Sequence, residues 1–279
     1  MKNFIAQLNE QILKVCDIDI SNYDEEFILK SLEKRMKQTN YKDKDEYLLF
    51  IEENCKEGTE FFHSLFISYS EFFRNPLTFA VLENIIIPQL RSRKEKLINK
   101  EIRIWSAACA AGQETYSLAM LMNESKKNEK QDTNFRIFAT DYSEKQIKIA
   151  QKGQFQSTAM CYLTVCRLKK WFTRNGYNYT IKDELKTNID FSVFDLLNEN
   201  LSCPPNSIFG DFDIVICANL LFYYKPEYRH RILDKGSHCL AKGGYVITGE
   251  TEREILLQHN FEEVYPYSCI FRKIIKQTL

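Results

Sequence analysis

From residue 102 onward, short apolar runs of strand length alternate with amphipathic stretches of helix length. The runs are Ile102 to Ala107, Phe135 to Thr140, Ile189 to Phe194, Phe212 to Cys217 and Tyr245 to Thr248. Helix candidates lie between them at about Glu114 to Asn123, Ser143 to Lys152 and Pro226 to Leu240. The second opens on a cap-like Ser143 and closes at Gly153. Parallel strands need long crossovers, so this order predicts an α/β domain with helices on both faces of a parallel sheet. The segment Phe261 to Ile274 alternates around Pro266 as two strands, an antiparallel pair that closes the sheet.

Two regions break this pattern. Residues 1–65 hold no proline and no strand-like run, and Phe27, Leu29, Leu32 and Met36, then Tyr47, Leu48 and Ile51, recur at spacings of three and four. They predict an all-α N-terminal domain ahead of the α/β domain of residues 66–279. Between Gln154 and Asn188, the runs Trp171–Arg174 and Tyr177–Thr180 flank Asn175-Gly176, a two-residue turn signal. A small antiparallel β subdomain, inserted at about residues 158–188, is expected there.

Charge narrows the choice of partners. Of 279 residues, 38 are Lys or Arg and 38 are Asp or Glu, so no global field draws nucleic acid or an anionic membrane. Charge is concentrated instead in Ile28 to Lys42, where Lys30, Lys34, Arg35, Lys37 and Lys42 face one acid, Glu33. The nine cysteines are dispersed without a CxxC pair, and His63, His230, His238 and His259 form no HxxxH or HExxH motif. Free thiols and no metal site are expected. The N-terminal apolar residues are interrupted by Gln7, Asn9, Glu10 and Gln11, and no run reaches the roughly 18 apolar residues of a membrane span. We therefore expect a cytoplasmic protein with no membrane insertion.

An open α/β sheet binds ligands beyond the carboxyl ends of its strands. Here those positions read Ser106-Ala-Ala-Cys-Ala-Ala-Gly-Gln-Glu114 and Thr140-Asp141. One glycine, Gly112, is too few for a loop that wraps a pyrophosphate, which argues against NAD or FAD. A nucleoside with an uncharged tail suits the small residues better, and Asp141 is placed to accept hydrogen bonds from ribose hydroxyls.

At this point the residues resemble a known family, the chemotaxis receptor glutamate O-methyltransferases (CheR). The matching stretches are Ser70-Glu-Phe-Phe-Arg74, Arg103 to Met120, Ala139-Thr-Asp141, Phe212 to Tyr224 and Lys242-Gly-Gly-Tyr245. The resemblance implies a class I S-adenosylmethionine-dependent methyltransferase domain, Rossmann-like. Position by position, it implies that Ser68, Ser70, Arg74, Glu114, Asp141, Asp195, Leu196 and Asn219 surround the cofactor, with Arg74 and Tyr223 nearest the transferred methyl. The expected partners are the cytoplasmic helical regions of methyl-accepting chemotaxis receptors, steered by Lys30, Lys34, Arg35 and Lys37. No nucleic-acid partner is expected, and the chain is expected to be a monomer that releases S-adenosylhomocysteine. Relatives that grip a receptor's C-terminal pentapeptide carry a longer glycine-bearing loop than Asn175-Gly176, so the resemblance implies no pentapeptide tether here. The sequence departs from the family at Ala218, where arginine stands, and at Ala111, Gln113 and Thr115. Those departures admit an alternative, a catalytically silent relative that binds receptor or adenosyl ligand.

Overall fold

The computed structural model describes residues 2–66, 69–125, 134–208 and 210–274. The chain forms two compact units, Met1–Ile67 with Leu220–Arg229, and Ser68–Asn219 with His230–Leu279.

The smaller unit is built on four helices, α1 (Lys2–Cys16), α2 (Glu25–Thr39), α3 (Lys44–Glu53) and α4 (Cys55–Ser64). Asp24 caps α2 by accepting the Glu26 and Phe27 N–H groups, and Asp43 caps α3 through Asp45 and Glu46. Helix α2 ends within the cationic stretch Ile28 to Lys42, because Asn40 turns left-handed at φ 63°. Leu8, Ile12, Ile20, Leu32, Tyr47, Ile51 and Phe61 fill the core. The unit also takes in Leu220–Arg229, which the sequence alone gives no reason to separate from the α/β domain. Tyr23 and Tyr224 form an isolated β-bridge and stack at 5.0 Å, and Asp24 N–H donates to Tyr223 O at 2.8 Å.

One buried acid organises this unit. Glu57, 5% exposed, accepts both Arg35 Nε at 2.7 Å and Arg35 Nη2 at 2.8 Å, and the Tyr47 hydroxyl at 2.6 Å. Burial alone would raise the Glu57 pKa, but the hydrogen bonds from Arg35 and Tyr47 hold it below the usual carboxylate range. Arg35 is therefore a core partner, which corrects its expected place among the receptor-steering cations. Lys30, Lys34 and Lys37 remain exposed on α2, with Lys30 paired to Glu26 at 2.7 Å.

The larger unit begins with α5 (Pro76–Val81) and α6 (Ile87–Glu95), joined by a wide π turn over Leu82–Ile86. Pro88 lacks an N–H and its ring crowds the preceding turn, which the wide turn accommodates without breaking the helix. The strands and helices that follow are β1 (Ile102–Ala107), α7 (Gln113–Glu124), β2 (Phe135–Asp141), α8 (Glu144–Lys152), β3 (Gln154–Gln156), α9 (Val165–Trp171), β4 (Phe172–Asn175), β5 (Asn178–Ile181) and α10 (Asp183–Lys186). Then come β6 (Ile189–Val193), β7 (Phe212–Ile216), α11 (Pro226–His238), β8 (Leu240–Ile247), α12 (Arg253–Leu257), β9 (Phe261–Glu263) and β10 (Ile270–Lys273). Helix α8 has the expected ends, with the Ser143 hydroxyl accepting the Gln146 N–H and Gly153 left-handed at φ 62°.

Among the described residues, seven strands pair in the order β6-β2-β1-β7-β8-β10-β9. Strands β6, β2, β1, β7 and β8 are parallel, and β10 runs antiparallel to both β8 and β9. Both faces are covered, so the central strands are mostly apolar: all five residues of β7 are buried, and its one charged residue, Asp213, is paired with Arg93 and Lys94. Ile104, Ile214, Ile216 and Ile247 pack on one face, while Trp105, Phe138 and Phe212 meet edge-on or tilted on the other. The inserted subdomain is a separate sheet ordered β3-β5-β4, one strand more than the expected hairpin. Its turn also sits one residue later than expected: Asn175 pairs with Asn178, leaving Gly176 (φ 61°) and Tyr177 as the loop. Glycine at the first loop position supplies the positive φ that such a tight connection needs.

Arg35→Ala should leave Glu57 charged and buried, and lower the unfolding free energy by about 3–5 kcal/mol, whereas exposed Lys34→Glu should stay within about 0.5 kcal/mol. Because the folded Glu57 pKa is depressed, its contribution is present above the ordinary carboxylate range and is lost as pH falls through the folded value. Urea titrations of both variants from neutral to acid pH check this. Equal stabilities would remove the assignment.

Candidate active site

Strand order reverses between β1 and β7, so the loops leaving their carboxyl ends diverge and open a crevice. The loop after β1 is wound by three left-handed residues, Ala108 (φ 57°), Ala110 (φ 48°) and Gly112 (φ 91°). At Gly112 an added Cβ would stand 3.0 Å from Ala150 Cβ, so both conformation and space call for glycine. This path brings the Ala110 N–H to Asp141 Oδ2 at 2.9 Å, while Asp141 Oδ1 accepts the Ser143 N–H at 2.9 Å. Each oxygen keeps acceptor capacity for a second donor, which suits the two hydroxyls of a ribose. Burial raises the Asp141 pKa, and those two backbone hydrogen bonds oppose it. Asp195 and Leu196 follow β6, half-buried; Phe194 N–H donates to Asp141 O at 3.0 Å and Asp195 accepts the Leu197 N–H at 2.8 Å.

Glu114 lies in the first turn of α7. Its Oε1 accepts the Ser106 hydroxyl at 3.0 Å, and the Thr115 hydroxyl lies 3.1 Å from Ser106 Oγ. Burial pushes the Glu114 pKa up to about 7; Ser106 and Arg74 pull it down and the Glu252 carboxylate pushes it further up. Arg74 is set by the two phenylalanines before it. Phe72 and Phe73 are buried, and Phe73 sits at φ 51° with its N–H donating to Ser117 Oγ at 3.0 Å. The Arg74 guanidinium lies 5.3 Å from the centre of the Tyr69 ring. Ser70 is half-buried on the same segment, and Ser68 lies outside the described residues.

Asn219, after β7, is left-handed at φ 60°, and its N–H donates to Glu252 Oε2 at 2.6 Å. Arg74, Glu114 and Asn219 are thus linked through neighbouring charges and hydrogen bonds, and Asp141 is bonded through its carbonyl to Phe194, the residue before Asp195 and Leu196. Tyr223 belongs to the smaller unit, where its ring packs 4.6 Å from Phe27. Of the family departures, Thr115 keeps a hydroxyl in the Ser106 network, Ala111 and Ala218 pack against the core, and Gln113 is buried with its Oε1 unpartnered among the described residues. The sequence reading missed Glu252. Its one signal is the spacing Gly249-x-x-Glu252 after a strand, which resembles a capping box.

The donor set suits S-adenosylmethionine. Glu114 offers a buried carboxylate to an ammonium, Asp141 offers two oxygens to a diol, and the alanine loop has no cationic cradle for phosphate. Among the described residues, no three His, Cys, Asp or Glu side chains gather as a metal site, and no helix is long and apolar enough to cross a membrane. The cysteines are all free.

Fold and site together define a methyltransferase of the class that binds S-adenosylmethionine at the β1–β7 reversal. Comparison with known proteins agrees: a family model described as "CheR methyltransferase, SAM binding domain" matches residues 68–266, and one described as "CheR methyltransferase, all-alpha domain" matches residues 4–66. A chemotaxis protein methyltransferase from Listeria innocua is 33% identical over 70% of this chain and 68% of its own. Another, from Borreliella burgdorferi, is 25% identical over 95% of this chain and 93% of its own. An uncharacterized 104.1 kDa protein of Rhodobacter capsulatus is 30% identical over 88% of this chain, which spans only 25% of that longer protein. The chain belongs to the CheR methyltransferase family.

Glu114 must be ionised to pair with an ammonium, so affinity for S-adenosylhomocysteine should rise with pH up to about 7 and level off above it. Calorimetry across that range should show Glu114→Gln losing the rise and Asp141→Ala weakening binding by about tenfold or more at every pH. Since the folded Glu114 pKa is raised, the ligand-free protein loses stability as pH climbs through about 7. Glu114→Gln should therefore melt higher than wild type at alkaline pH.

Proposed function

We propose that this chain transfers a methyl group from S-adenosylmethionine to glutamate side-chain carboxylates of chemoreceptors, forming methyl esters. The observation that carries the reading is Arg74, a guanidinium held beside the Tyr69 ring and felt electrostatically by Glu114, in a site whose other charges are acids. Such a cation suits an anionic methyl acceptor. A glutamate with a reference pKa of about 4.3 is almost fully ionised at neutral pH, so the acceptor needs no general base.

When bound, S-adenosylmethionine supplies an electrophilic methyl group on a positively charged sulfur. This chain's residues then position the partners. Glu114 pairs with the ammonium, Asp141 holds the ribose, and Ser70, Asp195, Leu196 and Asn219 border the cofactor. Arg74 orients the acceptor carboxylate by a forked hydrogen bond, and alignment of this kind supplies up to roughly 7–11 kcal/mol of the barrier. A grip that is too tight would blunt the nucleophile, so the role of Arg74 is orientation. Tyr223 is the family's second position near the methyl group. Charge annihilation between carboxylate and sulfonium favours a dry site.

The exposed Lys30, Lys34 and Lys37 on α2 offer one cationic face to an acidic helical receptor segment in the cytoplasm. Arg35 is committed to Glu57 and takes no part in this face.

Incubation with methyl-tritiated cofactor and receptor cytoplasmic fragments should label the receptor, and mild alkali should release the label as volatile methanol, the mark of a carboxyl ester. Arg74→Ala should lower kcat/KM by about a hundredfold or more. Lys34→Glu should slow methylation chiefly at low ionic strength. Alkali-stable label would show another acceptor, and an unlabelled receptor would remove the proposal.

A further inference from the structure

Glu252 is fully buried, lies outside the set of residues that the family resemblance marks, and its charge bears on Glu114. Its Oε2 accepts two backbone N–H groups, from Asn219 at 2.6 Å and from Gly249 at 3.0 Å, and lies 2.8 Å from the Thr248 hydroxyl. Thr248 and Gly249 leave the end of β8, and Asn219 leaves the end of β7, so one carboxylate ties two neighbouring strand ends together. The packing between them is close. An added Cβ on Gly249 would stand 2.9 Å from both Cγ and Oδ1 of Asn219.

Asn219 needs this support. It holds a left-handed backbone that only a minority of non-glycine residues adopt, and such conformations persist where surrounding contacts over-determine them. The contact that fixes its N–H is the one to Glu252.

We propose that Glu252 is the positioning residue of the cofactor site, holding Asn219 in its left-handed turn against the end of β8. The inference rests on the cofactor reading given above and adds to it a residue that touches no substrate. A second consequence follows from charge. Glu252 is one of the groups facing Glu114, with the Ser106 hydroxyl from β1, the Arg74 guanidinium from the segment before α5, and the buried Cys109 and Cys217 thiols. Burial holds both thiols well above their usual range, and Asp141 bears on Cys109, so the charges acting on Glu114 itself are those of Arg74 and Glu252. Removing the Glu252 charge should let Glu114 ionise at lower pH.

The test is calorimetric titration of the full chain with S-adenosylhomocysteine across pH, for wild type, Glu252→Gln, Glu252→Ala and Gly249→Ala, with thermal melts of each. An amide oxygen still accepts the two N–H groups, so Glu252→Gln should bind near wild-type strength at about pH 8 while the midpoint of its pH dependence moves to lower pH. Glu252→Ala, or Gly249→Ala if the alanine variant does not fold, should weaken binding by about tenfold or more. Unchanged midpoint in Glu252→Gln together with unchanged affinity in Gly249→Ala would overturn the inference. Wild type that binds no S-adenosylhomocysteine at any pH would instead remove the cofactor reading on which it rests.

Discussion

The reversal of strand order between β1 and β7 is the constraint from which the site follows. Parallel strands deliver every outgoing loop to the same edge of the sheet, and the reversal sends the loops after β1 and β7 to opposite sides. The crevice is therefore a product of topology before any side chain is chosen. What the side chains add is charge. Glu114 starts α7 at the crevice floor, Asp141 ends β2, and Asn219 follows β7, so three polar groups converge from three elements whose relative positions the sheet hydrogen bonds fix.

Much of this was legible in the sequence because it depends on periodicity and on local turn chemistry. Five apolar runs became the five parallel strands, Ser143 and Gly153 bounded α8, and the pair of strands around Pro266 closed the sheet antiparallel. The losses have physical causes. A hairpin turn signal such as Asn175-Gly176 fixes where a chain reverses only to within a residue, and strand pairing moved the loop to Gly176-Tyr177. The third strand, β3, is three residues long, too short for a period-two pattern to show. Arg35 looked like its neighbours Lys34 and Lys37, since charge composition carries no record of which side of a helix meets a buried acid 22 residues away in sequence.

The candidate site was legible to a different degree in each residue. Asp141 follows from a rule about strand ends, whereas Arg74, Asp195 and Tyr223 were marked only by family resemblance. Glu252 was marked by neither, because Glu250 stands two residues before it and sequence does not say which of the two acids turns inward. Burial does: Glu252 is enclosed and Glu250 is exposed. Leu220–Arg229 shows the same limit at larger scale, since a ten-residue return to the helical unit is made by long-range pairing of Tyr224 with Tyr23, which no local pattern announces.

Glu57 and Glu114 show why one part is built for stability and the other for function. Glu57 has a guanidinium that matches both its oxygens and a phenol besides, so its charge is met inside the fold. Glu114 is given one hydroxyl and the more distant field of Arg74, with a second carboxylate behind it, and burial leaves its charge under-compensated. In a structural role this arrangement would be a defect, since a hydrophobic residue of the same size would cost the fold less. It makes sense where a cationic ligand completes the set: the free energy withheld from the ligand-free fold is then returned on binding, as selective affinity for a molecule that carries a positive charge at that position.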